Sequence, residues 1–399
     1  MKLKLQLLSF CFIFCIFMMN APVNAENNNI FESYDNTRVI YGYLENGVTY
    51  IPIGEIWRQF GNQLSFDVNE QKIFFSTNQG AITLGFQSAI GEINGETITL
   101  SNPTKKIQNT VYASVRDVAK LFNIKFDHLD KSMMELLLDT KKLLIHIKPI
   151  TSAYLYHPKK IDVIMYHHFD PNRSDSLTVT PERFREHLDK LIQAGYETIT
   201  EEDLYQYKTN AHYKLPKKPL LITIDDGYAN NYSIAYPILK EKGLRATIYI
   251  ITSYRGKQPG FSRHFTWEEA KEMYDSGVIN IESHTHDLHY YVQQGKKQKA
   301  AILARNANED ERSYKNRILN DLKTSRDLIR QHVGKESIAL SYPYGVYDKT
   351  VIQLAKEAGF KLHVTIKTDK NLRDGNPMIY RVNAHGDYSG EQLLSVLNS

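Results

Sequence analysis

Cysteine is nearly missing from this chain. Its 399 residues hold two, Cys11 and Cys15, and both fall within the first 25. Beyond that point disulfides, a thiolate nucleophile and cysteine metal ligands are all excluded. Chemistry must come from carboxylates, histidines, hydroxyls, or a metal held by oxygen and nitrogen. After residue 19 no apolar run is long enough to cross a bilayer. Neither charge sign dominates: 49 basic against 45 acidic residues leave a net charge of +4, which does not suggest nucleic-acid binding. What remains, 42% hydrophobic and 24% charged residues over a length comfortable for two domains, fits an ordinary globular protein. Tyrosine is abundant, at 26. Such rings serve as core residues, and their faces can also stack on the apolar faces of pyranose sugars.

Residues 1–25 read as a targeting signal: Lys2 and Lys4, an almost unbroken apolar stretch from Leu5 to Met19, then Val23-Asn24-Ala25 as a small-residue exit before Glu26. These are the three parts of a secretory signal peptide, and the expectation is a secreted or cell-surface location. The alternative, a retained anchor helix, calls for a longer apolar run. A lipoprotein would not place Phe10 and Phe14 before its cysteines.

Glu26 to about Thr37 is a polar, Asn-rich leader. Residues 38–149 contain an internal repeat. Val48-Thr49-Tyr50-Ile51-Pro52-Ile53, a helical stretch to Phe60 and then Phe66-Asp67 are echoed by Thr110-Val111-Tyr112-Ala113-Ser114-Val115, a helical stretch to Phe122 and then Phe126-Asp127. Two strand–helix–strand copies sharing their apolar faces predict one small α+β domain. Residues 150–158 read as a linker. From residue 159 to 399, apolar strands alternate with amphipathic helices. The strands are expected at Asp162–Tyr166, Leu220–Ile224, Ala246–Ile251, Asn280–Glu282, Ser337–Ser341, Lys361–Ile366 and Tyr380–Val382. The helices include Pro181–Ala194 and Thr266–Ser276, and the polar stretch Tyr290–Arg330 is expected to be helical. The fold class is α/β: a (β/α) barrel, incomplete with seven strands, behind the α+β repeat domain. A doubly wound sheet would call for a Gly-rich phosphate loop, and there is none.

In such a barrel, working residues gather where strands end. Asp225-Asp226-Gly227, Ser283-His284-Thr285-His286-Asp287-Leu288-His289, Tyr342-Pro343-Tyr344-Gly345 and His167-His168 each follow an expected strand. Asp225-Asp226-Gly227 alone is an ordinary turn, and the histidine loop alone an ordinary polar loop. Together at one barrel mouth, a carboxylate and two imidazoles offer a three-ligand metal site with open positions, and the neighbouring carboxylate remains free as a base.

These motifs resemble the polysaccharide deacetylases, carbohydrate esterase family 4. Thr223-Ile224-Asp225-Asp226-Gly227 resembles the first family motif, His284-Thr285 with a later histidine the second, and Tyr342-Pro343-Tyr344-Gly345 the third. Met165-Tyr166-His167 matches the opening strand. The resemblance implies that Asp225 is the general base and that Asp226, His284 and His289 bind a divalent metal, Zn²⁺ first, with Co²⁺, Ni²⁺ or Fe²⁺ as options. It implies that the Tyr344 N–H stabilises the oxyanion. The expected reaction removes N-acetyl groups from an extracellular amino-sugar polysaccharide, poly-N-acetylglucosamine or peptidoglycan. His167, Pro343 and Arg381 are candidates for contact with substrate. Residues 38–149 resemble the copper amine oxidase N-terminal-like (stalk) domain, which implies a spacer or a wall- or glycan-binding module. The name implies no copper, and no His or Cys cluster lies there.

Three features depart from the family pattern. His289 is five residues after His284, a spacing that resembles the poly-β-1,6-N-acetylglucosamine deacetylase branch; His286 is a rival ligand. Ser341 stands where many members carry an arginine that orients the catalytic aspartate, and Arg381 is the candidate replacement. His385, in Asn383-Ala384-His385, is the candidate general acid. The alternatives are a catalytically weak glycan-binding protein on the same scaffold, and a non-haem iron enzyme, which Asp/His/His ligands also suit.

Overall fold

The two repeat copies come together around a local two-fold. One is Val48–Pro52, Ile53–Gln59 and Leu64–Asp67; the other is Thr110–Ser114, Val115–Phe122 and Lys125–His128. Their first strands pair antiparallel, with Tyr50 opposite Ser114, Ile51 opposite Ala113 and Pro52 opposite Tyr112. The pairing is thus symmetric about Ile51 and its equivalent Ala113, with Tyr50 and Tyr112 each opposite the other copy's Ser114 or Pro52, which lets both copies bury the same apolar face. Ser114 caps the second helix by accepting from the Asp117 N–H, and Asn123 ends it in the left-handed region at φ 54°. Trp57, Phe75 and Phe122 meet at the centre, with ring centroids 4.7 to 6.0 Å apart. Val48–Pro52, Thr110–Ser114 and Lys125–His128 lie in one seven-stranded sheet, whereas Leu64–Asp67 of the first copy opens a separate five-stranded antiparallel sheet that runs to Thr99 and that the repeat did not announce.

The computed structural model describes residues 40–398 apart from 68–69, 78–79, 109 and 130–131. The signal read at residues 1–25 and the polar leader lie outside the described residues. Among the described residues no helix is long and apolar enough to cross a membrane.

The second half is a (β/α) barrel. Lys160–Tyr166, Pro219–Ile224, Ala246–Ile250, Ile279–Ser283, Ala339–Ser341, Leu362–Val364 and Met378–Ile379 follow one another around it in parallel. Alternation along the strands separates two cores. Ile164, Ile222, Ile224, Ile248 and Ile281 pack with helix residues such as Phe184, Leu188, Leu239 and Met273. Val163, Leu221, Tyr249, Val364 and Ile379 form a separate cluster inside. Helices start where hydroxyls cap them: Thr180 before Pro181–Gln193, and capping boxes of Thr200 with Asp203 and Thr266 with Glu269.

Three expected elements differ. The strand expected over Tyr380–Val382 is broken. Met378–Ile379 pairs with Leu362–Val364, whereas Val382–Asn383 pairs with the first barrel strand, and Tyr380-Arg381 lies between. This break joins the last strand region to the first and carries Arg381 inward. The strand expected from Ser337 begins at Ala339, because the Ser337 hydroxyl and the Ile338 and Ala339 amides all donate to the Glu282 carboxylate instead of a ladder. The stretch expected to be helical from Tyr290 opens instead as a hairpin, Tyr291–Gln294 against Lys297–Ala300, before the helix Glu311–Val333. The turn Gln294-Gly295-Lys296-Lys297 explains it, with Gly295 at φ 61°.

Candidate active site

The strand Pro219–Ile224 is buried throughout. Its alternation points Leu221 and Thr223 inward, and Asp225 continues that row just past the strand. Arg381 meets both, donating to Thr223 Oγ1 at 3.2 Å, to Asp225 Oδ1 at 2.7 Å and to Asp225 Oδ2 at 2.7 Å. Ser341 adds a hydroxyl 3.3 Å from Asp225 Oδ2. Burial opposes ionisation of Asp225, but the guanidinium charge and its paired hydrogen bonds outweigh it and hold the carboxyl below its usual range. Arg381 is itself 1% exposed. Its guanidinium is engaged by Asp225, Thr223 and Ser341, away from solvent. Pro343 is likewise buried.

Asp226 and Gly227 turn the chain through the left-handed region, at φ 73° and 77°. Arg255 clamps this turn, donating to the Asp226 and Gly227 carbonyls at 2.9 Å each. A Cβ on residue 227 would stand 2.6 Å from Arg255 Nη1, so both the conformation and the space demand glycine.

The histidine loop is fixed from two sides. His284 Nδ1 donates to the Ser341 carbonyl at 2.7 Å. That bond requires Nδ1–H and leaves the lone pair on Nε2, the tautomer a metal ligand needs. Burial also pushes the His284 pKa down to about 4, favouring the neutral ring. Asp321, from the helix Glu311–Val333, accepts from the His286 and Asp287 amides at 2.8 and 2.7 Å. His286 Nδ1 is engaged with Thr252 Oγ1 at 2.9 Å, so the rival ligand is tied elsewhere.

His284 Nε2 and His289 Nε2 each lie 3.5 Å from Asp226 Oδ1. Asp226, His284 and His289 form a group whose donor atoms all lie within 4.8 Å of one another. Asp226 Oδ1 is buried without a hydrogen-bond partner, a cost of about 1–3 kcal/mol unless something cationic meets it. One carboxylate oxygen and two imidazole nitrogens fit a divalent metal with open positions. A second acidic group, Glu201, Glu202 and Glu282, already holds a cation of its own. Lys335 Nζ donates to Glu202 at 2.6 Å, to Asn280 at 2.7 Å and to Glu282.

His167 and Tyr344 complete the neighbourhood. His167 Nε2 is 3.9 Å from Asp225 Oδ2, and its Nδ1 has no partner. Tyr344 sits at φ 59° with its ring 4.5 Å from that of His289. His385 contacts Asp387 and Tyr388; among the described residues it has no hydrogen bond, ion pair or ring contact with Asp225, Asp226, His284 or His289. Sequence reasoning missed Arg255 and Asp321. Both act from other segments on backbone atoms, and neither lies in a motif.

Residues 212–363 match the family model for polysaccharide deacetylase, and residues 33–133 that for the copper amine oxidase N-terminal domain. YxkH of Bacillus subtilis (strain 168), which carries a polysaccharide deacetylase name, is 31% identical over 252 residues, 62% of this chain and 81% of that protein. The chain belongs to the polysaccharide deacetylase family. As a polysaccharide deacetylase it is a hydrolase, and the motifs that carry the resemblance are those gathered at the barrel mouth. The poly-β-1,6-N-acetyl-D-glucosamine N-deacetylase of Staphylococcus aureus (strain N315) is 29% identical over 185 residues, 46% of this chain; the match spans 59% of that relative's length. Two solved structures share the barrel. IcaB from Ammonifex degensii superposes with a TM-score of 0.53 at 24% identity, covering 61% of this chain and 100% of that one. A de-N-acetylase from Aggregatibacter actinomycetemcomitans gives 0.54 at 23%, covering 59% and 99%. At these identities the likeness is one of fold.

Proposed function

We propose that this deacetylase is a metal-dependent, exported enzyme that removes N-acetyl groups from an amino-sugar polysaccharide, with poly-N-acetylglucosamine ahead of peptidoglycan. The observation that carries the reading is the convergence of Asp226, His284 and His289 on one point beside the Asp225–Arg381 pair. The staphylococcal relative and the five-residue His284–His289 spacing support the choice of polymer. The apolar stretch at the N-terminus supports export.

A divalent metal held by Asp226, His284 and His289 would polarise the acetamide carbonyl and acidify water. Zn²⁺ suits the ligands first, and Co²⁺, Ni²⁺ or Fe²⁺ could replace it. Asp225, held ionised and oriented by Arg381, takes the proton of the attacking water. The Tyr344 N–H donates to the developing oxyanion. His167, beside Asp225 and free at Nδ1, is better placed than His385 to protonate the leaving amine. Water and amide thus yield acetate and a free amine. The glycan-binding alternative draws on the arginine missing at position 341 and on the poor match of His385 to the family's general acid; the Asp225–Arg381 pair weighs against the first. Residues 38–149 serve as a spacer or wall-binding module.

The test is acetate release from poly-N-acetylglucosamine and from peptidoglycan by purified Glu26–Ser399, with and without Zn²⁺, beside Asp225→Asn and His284→Ala. Metal-dependent release lost in both variants is expected. Glycan binding without release from either polymer would sink the enzyme reading.

A further inference from the structure

A cavity of about 330 Å³ lies where the repeat domain meets the barrel, a size that suits a small ligand. Tyr41, Tyr43 and Tyr112 of the repeat domain, Tyr154 of the connecting segment, and Asp203 and Arg245 of the barrel wall it. Arg245 directly precedes the strand Ala246–Ile250, and Gly277, also on the wall, precedes Ile279–Ser283. The cavity therefore stands at the end of the barrel where strands begin. Asp225, Asp226, His284 and His289 gather at the other end, where strands finish. Nor is it a loose gap. The Tyr41 hydroxyl donates to the Gly243 carbonyl at 2.9 Å, and Lys148 Nζ, over the Tyr41 ring, to Glu197 at 3.0 Å. Both bonds tie the repeat domain to the barrel.

The wall is rich in donors that lack an acceptor. Arg245 is half-buried, and its guanidinium lies over the Tyr41 ring, 5.2 Å from the centroid. Among the described residues that guanidinium has no hydrogen bond and no ion pair; only the Arg245 backbone amide is engaged, by Thr198 Oγ1 at 2.9 Å. Asp203 does not meet it. Its Oδ1 accepts from the Tyr213 hydroxyl at 2.6 Å, and its Oδ2 from the Tyr154 hydroxyl at 2.7 Å and the Thr200 amide at 3.0 Å. The Tyr43 and Tyr112 hydroxyls bond to each other, which leaves one of the two O–H groups free to donate. Burial pushes the Tyr43 phenol up to about 12, so it keeps its proton. Glu55 also borders the cavity, a like charge that a bound anion has to outweigh.

We propose that this cavity is an oxyanion site, in which Arg245 and the Tyr43–Tyr112 pair hold a carboxylate or phosphate group on a ligand the size of a single sugar unit. A planar guanidinium meets either group with two parallel N–H···O bonds. Where that unit belongs to an anionic polymer, the enzyme is held by the end away from the barrel mouth, which stays open. No metal-binding residue takes part, so the proposal stands apart from the deacetylase reading. The test is isothermal titration of Glu26–Ser399 in EDTA, which keeps the catalytic centre free of metal. The probes are glycerol 3-phosphate and galacturonate, against glycerol and galactose. The wild type is expected to bind a charged probe and neither neutral one, and the charged probe preferred tells a phosphate source from a carboxylate one. Arg245→Gln is expected to weaken that binding about ten-fold, and Tyr43→Phe with Tyr112→Phe about five-fold. Glu55→Gln, which removes the like charge, is expected to tighten it. The tyrosine pair decides the matter should Arg245→Gln fail to fold, which thermal melts report. Absence of binding by both charged probes overturns the proposal. So does galactose bound as tightly as galacturonate, or an affinity unchanged in both Arg245→Gln and the tyrosine pair. Acetate release bears on the enzyme reading alone: its absence with the oxyanion losses present supports the site and counts only against that reading.

Discussion

Asp225 and Arg381 are 156 residues apart in sequence and meet through two parallel N–H···O bonds of 2.7 Å, both groups buried. The arginine enters from the break in the last strand and occupies the space beside Ser341, to whose Oγ it donates at 3.2 Å. Arg381→Met leaves Asp225 buried and unpaired. Such a loss costs about 3–5 kcal/mol of stability, and kcat should fall about 100-fold as the base loses its orientation. Because Ser341 borders the same space, the double variant Arg381→Ser, Ser341→Arg should recover much of the activity. Steady-state kinetics and urea melts of both variants decide it; a swap no better than Arg381→Met would show that only the approach from residue 381 orients the base.

Burial of His284 gives a defined acid sensitivity. Its folded pKa of about 4 lies below the ordinary 6.5. Between those values the unfolded chain binds a proton that the folded chain does not, so stability is lost as pH falls from 6.5 toward 4, by about 3 kcal/mol. Asp225 works in a separate window: its depressed pKa contributes stability present above the ordinary 3.8 and lost only below it. Denaturant melts of metal-free protein between pH 7 and 4.5 should steepen with acid in the wild type and flatten in His284→Gln. Equal slopes would contradict a neutral buried ring.

Saturating Zn²⁺ should raise the unfolding midpoint, as a ligand at 100 times its Kd stabilises by about 2.7 kcal/mol. His289→Ala should abolish the shift, and His286→Ala should leave it in place, since His286 is engaged with Thr252. Differential scanning fluorimetry with and without EDTA reads both. A shift lost with His286→Ala and kept with His289→Ala would reassign the ligand.

Gly227→Ala asks an alanine to hold φ 77° with its Cβ 2.6 Å from Arg255 Nη1. Stability should drop by about 1–3 kcal/mol and zinc affinity with it, because the displaced turn carries Asp226. Isothermal titration checks the affinity; a variant that binds zinc like the wild type would show that the turn yields without moving Asp226.

Asp321→Ala removes the acceptor of two loop amides. It should lower zinc affinity about ten-fold, as loss of a group that orients ligands does, while leaving Asp225 and Arg381 paired. Unchanged affinity would mean that the His284–Ser341 bond alone sets the loop.

Local order was enough to read much of this protein. The strand–helix alternation, the repeat around Tyr50 and Tyr112, and the strand-end positions of Asp225, Asp226, His284 and His289 all follow from residues close in sequence, where a period of two or 3.6 records which face is buried. Tertiary structure decided the rest: that the Arg381 guanidinium pairs with Asp225, that His167 and not His385 stands beside that carboxylate, and that Arg255 and Asp321 hold the backbone of the Asp226 turn and the histidine loop. Those relations join segments tens to hundreds of residues apart, and several are made to backbone amides and carbonyls, which every residue possesses. A contact to an atom common to all residues leaves no mark in the identity of its partner, so only the folded chain can reveal it.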